Sequence, residues 1–281
     1  MAEPPVSGAE RIAAAFEAAR ADGRAALMPY MMGGFPDLET SQAVADAYVQ
    51  AGGDLVELGV PFSDPLADGP VIHAAATEAL ASGATLEGAL SIGERIAGTV
   101  PVVPMVYSNM ILARGPAQFA RLLADAGMAG AIVPDLPIDE AGEIGEHLSA
   151  AGIPLVPLVA PTTPVERRRR ICVGAEGFVY VVSGTRVTGE RDELPRGLPE
   201  LVGAVREEAS VPAAVGFGIG TPEQAAAVGQ IADGVIIGTR LVRAVAEADG
   251  SNQASESVGE FIRAVRGAID EAGARSDRLP L

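Results

Sequence analysis

The fold of this chain is decided by the stretch from Pro212 to Val242, which reads PAAVGFGIGTPEQAAAVGQIADGVIIGTRLV. The apolar run PAAVGF is followed by a glycine loop and then by TPEQAAAV, in which Thr221 can cap a helix whose first residue is Pro222. The pattern then repeats, because the run GVIIG leads directly into the helical TRLV. Two short apolar strands, each followed by a helix, are consecutive βα units of the kind that build a parallel sheet.

The same alternation continues through the rest of the sequence, where six further apolar runs are separated by stretches of helical period. Eight strand and helix units in about 250 residues favour a (β/α)8 TIM barrel over an open doubly wound sheet, which usually has fewer strands and often a second domain. We therefore expect residues 1–281 to form one α/β barrel domain with an extra N-terminal helix. The predicted strands are LMPYMM, DLVELGV, VVPMVY, GAIVPD, PLVPLVA, GFVYVV, PAAVGF and GVIIG, and the predicted helices include residues 8–21, 37–51, 117–126, 139–151 and 199–209.

Charge and cysteine content exclude several classes of protein. The net charge of −17 disfavours nucleic acid and anionic membranes as partners, because both select a basic surface. Cys172 is the single cysteine, so the chain makes no use of internal disulfides, and we expect a cytoplasmic protein without a signal peptide or membrane span. His73 and His147 lack a metal-ligand spacing, and we expect no metal site.

The second predicted strand and the loop after it, DLVELGVPFSDPLADGP at residues 54–70, contain acids where a buried strand should reject charge. If Glu57 faces the barrel interior, it lies near the C-terminal end, where barrel enzymes have their active sites. Burial would raise the pKa of its carboxyl group toward neutrality, which suits general acid–base catalysis. The alternatives are an ion pair between Glu57 and an arginine of another strand, and an ordinary turn role for Asp68.

The last two βα loops predict a phosphate site. Glycines in GFGIG at residues 216–220 and in IIGT at residues 236–239 let backbone N–H groups close around an anion, and each loop opens a helix whose N-terminus adds positive charge. Barrels frequently bind phosphate at this place. The long polar loop at residues 183–197 is either a lid over the substrate or a surface loop without a role. We interpret ERRRR at residues 166–170 as a solvated face or a set of internal ion pairs.

Several motifs follow one another in order between about residue 28 and residue 242. They are ELGVPFSDPLADGPVI, VYSNMI, IVPDLP, GFVYVVS, VTG and GFGIG. Together these motifs resemble the tryptophan synthase alpha chain family. The resemblance implies a lyase that splits indole-3-glycerol phosphate into indole and glyceraldehyde 3-phosphate by a retro-aldol reaction. It implies that Glu57 is the acid and base and that Asp68 binds the indole N–H.

The resemblance also implies the remaining site residues and a partner. No cofactor is expected in this chain, and the expected partner is a beta chain that carries pyridoxal phosphate, receives the indole and forms an alpha2beta2 tetramer. Four positions depart from the family pattern. Arg186 and His73 stand where glycine and glutamine are common, and Gly220 and Thr239 stand where serine is common, although Thr239 keeps a hydroxyl group. The implied substrate-binding residues are Tyr30, Tyr107 and Phe217 in the indole pocket, Tyr180 beside Glu57, and Thr188 in the lid near Glu57 and Asp68. Backbone groups of Gly189, Gly218, Gly238 and Thr239 are implied around the phosphate, and Asp64 at the partner interface.

Two other functions compete with this interpretation. Related phosphate-binding barrels, such as indole-3-glycerol phosphate synthase and phosphoribosylanthranilate isomerase, would share the last two loops but do not predict PFSDPLADGP. The chain contains no lysine, which excludes Schiff-base aldolase chemistry and disfavours the synthase. A non-catalytic subunit that only activates a partner is the other alternative, and the presence of both Glu57 and Asp68 disfavours it.

Overall fold

A computed structural model of the chain describes residues 6–183, 194–216 and 218–276. Most of the predicted loop at residues 183–197 is outside these ranges. Thr188, Gly189 and Phe217, which the resemblance assigned to the substrate, and Arg186, which departs from the family pattern, therefore lie outside the described residues.

The described residues contain nine strands that form one parallel sheet in the order β5-β4-β3-β2-β1-β9-β8-β7-β6. Each predicted apolar run contains one of them or, in one case, two. The predicted TIM barrel is confirmed, because the sheet curves into a nearly closed barrel. The strands are β1 (Ala26–Met32), β2 (Val56–Gly59), β3 (Val102–Met105), β4 (Ala131–Ile132), β5 (Leu155–Val156), β6 (Leu158–Val159), β7 (Val179–Val182), β8 (Ala213–Gly216) and β9 (Gly234–Ile237).

The difference between eight predicted and nine observed strands lies in the run PLVPLVA. Pro157 divides this run into β5, which pairs with β4, and β6, which pairs with β7. Proline has no backbone N–H to donate to a ladder. Its carbonyl still accepts a hydrogen bond from the Tyr180 N–H at 2.9 Å. The two ends of the sheet are thus two halves of the fifth barrel strand.

Helices fill the connections between the strands, and those predicted at residues 37–51, 117–126, 139–151 and 199–209 agree with the structure within three residues at each end. A single 3-10 turn, Ile138–Glu140, precedes one of them. No helix in the described part of the chain is both long and apolar enough to cross a membrane. The helices are α1 (Gly8–Ala21), α2 (Leu38–Gln50), α3 (Pro70–Ala81), α4 (Leu86–Ala97), α5 (Ser108–Arg114), α6 (Pro116–Asp125), α7 (Gly142–Ala150), α8 (Val165–Val173), α9 (Leu198–Glu208), α10 (Pro222–Gly229), α11 (Thr239–Ala246) and α12 (Ser251–Ser276).

The extra N-terminal helix, α1, covers the N-terminal end of the barrel. A capping box starts it, in which the Ser7 hydroxyl accepts the Glu10 N–H and the Glu10 carboxylate accepts the Ser7 N–H. Gly8 touches the barrel, since a Cβ there would lie 2.2 Å from the Ala129 carbonyl oxygen. Phe16 is buried against the Phe178 ring at 5.8 Å between centroids. A ligand site therefore belongs at the opposite, C-terminal end.

Two groups of charged residues have structural roles. The Asp54 carboxylate accepts hydrogen bonds from Arg24 at 2.7 and 2.9 Å and from the Leu27 N–H at 2.8 Å, and it lies 3.3 Å from Arg266 of α12. These contacts hold the starts of β1 and β2 against the last helix. The arginines of ERRRR form intramolecular ion pairs, as predicted: Arg168 pairs with Glu208, and both Arg167 and Arg170 pair with Asp139.

Replacing Asp54 with alanine is expected to lower the free energy of unfolding by about 3 kcal/mol, because it removes the main partner of a buried cation. The Arg24 side chain is 4% exposed, whereas its two remaining partners, Asp22 and Asp270, are at least half exposed. Urea unfolding measures the loss. Asp46→Ala is the matched control, since its pair with Arg95 is exposed and should contribute less than about 1 kcal/mol. Equal losses in the two variants would contradict this account.

Candidate active site

Glu57 points into the barrel from β2, beside Tyr30 of β1 and Val103 of β3. Its side chain is 1% exposed, and its Oε1 atom has no hydrogen-bond partner among the described residues. The alternative of an ion pair with an arginine from another strand is wrong, because no described strand contains an arginine. The buried carboxyl group therefore keeps an oxygen available for a ligand.

The two acids of the site differ in their environment. Burial, with a smaller contribution from the charge of Asp68, raises the pKa of Glu57 to about 8. Burial also raises the pKa of Asp68, to about 6, while a hydrogen bond from Tyr107 and the charge of His73 act in the opposite direction. At neutral pH, Glu57 is thus mainly protonated and Asp68 mainly ionised. A pair of carboxyl groups whose surroundings separate their pKa values can serve as acid and charge stabiliser on one substrate.

A cavity at the C-terminal end of the barrel brings most of the predicted residues together. Seven of its lining residues are among the predictions, whereas Ile72, Met105 and Ile236 are additions that sequence reasoning missed. Met105 and Ile236 could have been found from strand period, because Met105 shares a face with Val103 and Ile236 is paired with Met28, two residues before Tyr30. The lining residues are Tyr30, Glu57, Asp68, Ile72, Met105, Tyr180, Gly218, Ile236, Gly238 and Thr239.

Two predicted residues lie beside the cavity instead of lining it. Tyr107 is buried, and its hydroxyl accepts the Ala67 N–H at 3.2 Å and contacts the Asp68 carboxylate. Asp64 is exposed in the loop between β2 and α3, where its carboxylate accepts the Ser63 hydroxyl at 2.6 Å. Asp64 and Asp68 are therefore on the same loop, one outside and one inside the site.

Two glycines make room for the tyrosine walls of the cavity. A Cβ on Gly59 would lie 2.1 Å from the Tyr30 hydroxyl oxygen, and a Cβ on Gly216 would lie 2.3 Å from that of Tyr180. Each tyrosine ring thus crosses over a glycine of the neighbouring strand. Burial holds the pKa of both hydroxyls well above the ordinary value, so Tyr30 and Tyr180 stay neutral.

Replacing Gly59 with alanine is expected to push the Tyr30 ring into the cavity, because the new methyl group would overlap the hydroxyl end of that ring. We expect a loss of about 2 kcal/mol in the free energy of unfolding and a rise in KM. Urea unfolding and steady-state kinetics measure both. Gly98→Ala, with no atom within 4 Å of the added Cβ, should change neither quantity. A Gly59→Ala variant with unchanged KM would contradict the role of this glycine.

Backbone groups and two helix starts form the other wall of the cavity. Gly218 has a φ of +90°, a conformation that side-chain-bearing residues rarely adopt, and its loop runs into α10, capped by Thr221. Gly238 and the buried Thr239 begin α11. Among the residues that the structure describes, no arginine lines the cavity, and no cluster of three or more His, Cys, Asp or Glu could hold a metal ion. The arrangement can bind an anion through backbone N–H groups.

Fold and site together define a (β/α)8-barrel enzyme of the acid–base type, with two carboxyl groups in an aromatic cavity. The family model described as "Tryptophan synthase alpha chain" matches residues 16–270. The chain belongs to the tryptophan synthase alpha chain family, which confirms the resemblance seen in its motifs.

Curated relatives and solved structures agree with this assignment. The tryptophan synthase alpha chain of Prochlorococcus marinus (strain MIT 9313) is 46% identical over 92% of this chain and 94% of its own length. That of Synechococcus sp. (strain CC9902) is 45% identical over 92% and 97%. A structure of Mycobacterium tuberculosis tryptophan synthase superposes with a TM-score of 0.86 at 37% identity, covering 92% of this chain and 98% of that one.

Proposed function

We propose that this chain cleaves indole-3-glycerol phosphate to indole and glyceraldehyde 3-phosphate, with Glu57 as acid and base and Asp68 as the charge partner of the indole ring. The observation that carries the proposal is the buried, mainly protonated Glu57, whose Oε1 faces an aromatic cavity that it shares with an ionised Asp68. Family membership supports it, since the relatives are tryptophan synthase alpha chains.

The first step is protonation of the indole ring. Indole is a poor leaving group as a carbanion, so C3 has to gain a proton before its bond to the side chain can break. Protonated Glu57 donates that proton, and the positive charge which appears on the ring nitrogen is stabilised by Asp68, whose carboxylate accepts the N–H. Both groups are fixed before the charge develops, so little reorganisation is needed.

The second step is cleavage of the carbon–carbon bond. Glu57, now a carboxylate, takes the proton from the hydroxyl group next to C3, and the C–O bond becomes an aldehyde carbonyl. The electron pair of the breaking bond returns to the ring and neutralises its nitrogen, which releases indole. Glu57 ends protonated, ready for the next cycle. The reaction needs no cofactor in this chain.

We assign the indole to the cavity between Tyr30 and Tyr180, and the phosphate to the backbone groups of Gly218, Gly238 and Thr239. The neutral tyrosine rings supply apolar area for the indole and exclude water from the two carboxyl groups. The starts of α10 and α11 supply donors and partial positive charge for the phosphate, which suits a cavity whose described lining contains no basic side chain.

Gly218→Ala tests the phosphate assignment. Alanine is strained at the φ of +90° that Gly218 adopts, so we expect the loop to shift and KM for indole-3-glycerol phosphate to rise about tenfold. Inhibition by inorganic phosphate should weaken in parallel, whereas inhibition by indole should not change. Gly83→Ala introduces the same strain, at a φ of +88°, where no atom lies within 4 Å of the new Cβ. Equal effects of both variants on KM would contradict the assignment.

We further propose that the chain works with a beta chain, as an alpha2beta2 tetramer in the cytoplasm, with pyridoxal phosphate held by the beta chain. The loop between β2 and α3 supports a contact there, because Asp64 and Leu66 are exposed, Leu66 at 82%, while Asp68 of the same loop lines the cavity. A partner on this loop would shift a catalytic carboxylate. The single cysteine fits a reducing compartment.

Incubation with indole-3-glycerol phosphate, alone and with a tryptophan synthase beta chain, tests the function. We expect indole and glyceraldehyde 3-phosphate in equal amounts from the chain alone, and faster indole formation with the beta chain. Absence of indole under both conditions would overturn the proposal. Activation of the beta chain without cleavage would favour the non-catalytic subunit instead, and equal rates with no detectable association would refute the partnership.

A further inference from the structure

A chain of hydrogen bonds joins three loops at the C-terminal end of the barrel. It begins at Asp135, in the loop after β4, whose two carboxylate oxygens both contact Ser108. One oxygen accepts the Ser108 backbone N–H at 2.9 Å, and the other accepts the Ser108 hydroxyl at 2.7 Å. Ser108 is the first residue of α5 and directly follows Tyr107. Asp135 therefore fixes the backbone from which the Tyr107 ring projects.

The other end of this chain reaches Asp68. The Tyr107 ring is 3% exposed and stacks on Phe62 at 5.1 Å between centroids. Its hydroxyl accepts the Ala67 N–H at 3.2 Å, which leaves its one proton for the Asp68 carboxylate. Residues 62, 67 and 68 all belong to the loop between β2 and α3, which contains no helix or strand. Tyr107 thus supports a loop that has no regular secondary structure.

We infer that Asp135 is a positioning residue for Asp68 in the proposed reaction, and that it acts through Ser108 and Tyr107. The inference rests on the proposed function, which gives Asp68 the task of accepting the indole N–H. A carboxylate on a loop can hold a fixed direction only when packing and hydrogen bonds around it supply the constraint that a strand would supply. Asp135 makes no contact with the cavity and has no other assigned role.

The pKa of Asp68 depends on the hydrogen bond from Tyr107, so it measures how well Tyr107 is positioned. The titratable groups that face it are Glu57 on β2, Tyr30 on β1, Tyr180 on β7, His73 on α3 and Tyr107. Tyr107 and His73 favour the carboxylate, whereas burial disfavours it. Loss of a well-aligned Tyr107 hydrogen bond therefore raises the pKa of Asp68. Turnover that needs ionised Asp68 then requires a higher pH.

The test is Asp135→Asn in the full chain, with indole release measured across pH. We expect kcat to fall about tenfold and the acid limb of the profile to move up by about one pH unit, with a much smaller change in KM. Tyr107→Phe should move the limb in the same direction, and the double variant no further than the larger single effect. The control, Asp139→Asn, removes an exposed carboxylate four residues along the chain that pairs with Arg167 and Arg170, and should leave the profile unchanged.

A second measurement does not depend on turnover. Carboxyl ¹³C NMR, with the Asp68 signal assigned from its loss in Asp68→Asn, gives the pKa of Asp68 directly. We expect this pKa to be higher in Asp135→Asn than in the wild type, and higher by a smaller amount in Ser108→Ala, which keeps the backbone contact. If Asp135→Asn does not fold, Ser108→Ala provides the same test. An unchanged Asp68 titration in the folded variants would overturn the inference, whereas a wild-type chain that releases no indole would overturn the proposed function.

Discussion

Replacing Glu57 with glutamine is expected to reduce indole release about a thousandfold while the barrel stays folded. The proposed reaction requires one group that first donates a proton and then accepts one, and an amide can do neither at neutral pH. Glutamine has the size of the protonated glutamic acid that the site holds, so binding of indole-3-glycerol phosphate should persist. Single-turnover and binding measurements on the same variant separate the two effects. Turnover within tenfold of the wild type would refute the assignment of Glu57.

The same substitution should stabilise the protein at high pH. Glu57 has an ordinary pKa of 4.5 and a pKa of about 8 in the folded chain, so between these values the folded state holds a proton that the unfolded state has released. The free energy of unfolding of the wild type therefore falls by on the order of 4 kcal/mol as pH rises through this range. The glutamine variant has no such dependence on this group. Urea unfolding at pH 5 and pH 9 measures the difference. Glu146→Gln, at an exposed position of α7, should follow the wild type.

Asp68→Asn is expected to lower kcat by about a hundredfold to a thousandfold, because a neutral amide cannot stabilise the ring cation. Its pH profile should also change shape. The wild type needs ionised Asp68 and protonated Glu57, so its turnover should be highest between about pH 6 and 8 and fall on either side. The Asn variant should lose the acid limb and keep the basic one.

Steady-state kinetics from pH 5 to 9 make this measurement, with Asp125→Asn as the control, since Asp125 is exposed at the end of α6. An acid limb that persists near pH 6 in Asp68→Asn would show that another group controls it. Retention of both limbs and of most of the turnover would remove Asp68 from the mechanism.

The sequence predicted the barrel well because each strand is a short apolar run between helical stretches. It indicated that the acids in and after the second strand are unusual, but it did not show that Asp54 and Glu57 have different roles. Asp54 and Glu57 are three residues apart, yet Asp54 lies at the N-terminal end of the strand in a network with Arg24 and Arg266, while Glu57 lies in the cavity. The arginines that Asp54 meets lie 30 positions away, at Arg24, and 212 positions away, at Arg266, so only the fold brings them to this acid.

Other features had only a weak sequence signal. Strand period could place Met105 on the same face as Val103, but only the strand register, which pairs Val103 with Glu57 and Met105 with Gly59, brings that face to the cavity. The need for Gly59 arises from the ring of Tyr30 on the neighbouring strand, a contact that only the folded barrel creates. The division of the fifth strand at Pro157 could have been predicted, because proline within an apolar run weakens the assignment of a continuous strand.

The position of β1 between β2 and β9 has a consequence for protein synthesis. Ala26–Met32 is apolar and fully buried in the folded chain, and one of its edges pairs with Gly234–Ile237, which leaves the ribosome about 200 residues later. At a translation rate of about 5 to 20 residues per second, that edge of β1 stays unpaired for about 10 to 40 seconds. An unpaired apolar edge is where nascent chains associate with one another, so the opening strand is the segment that a chaperone has most reason to shield during translation.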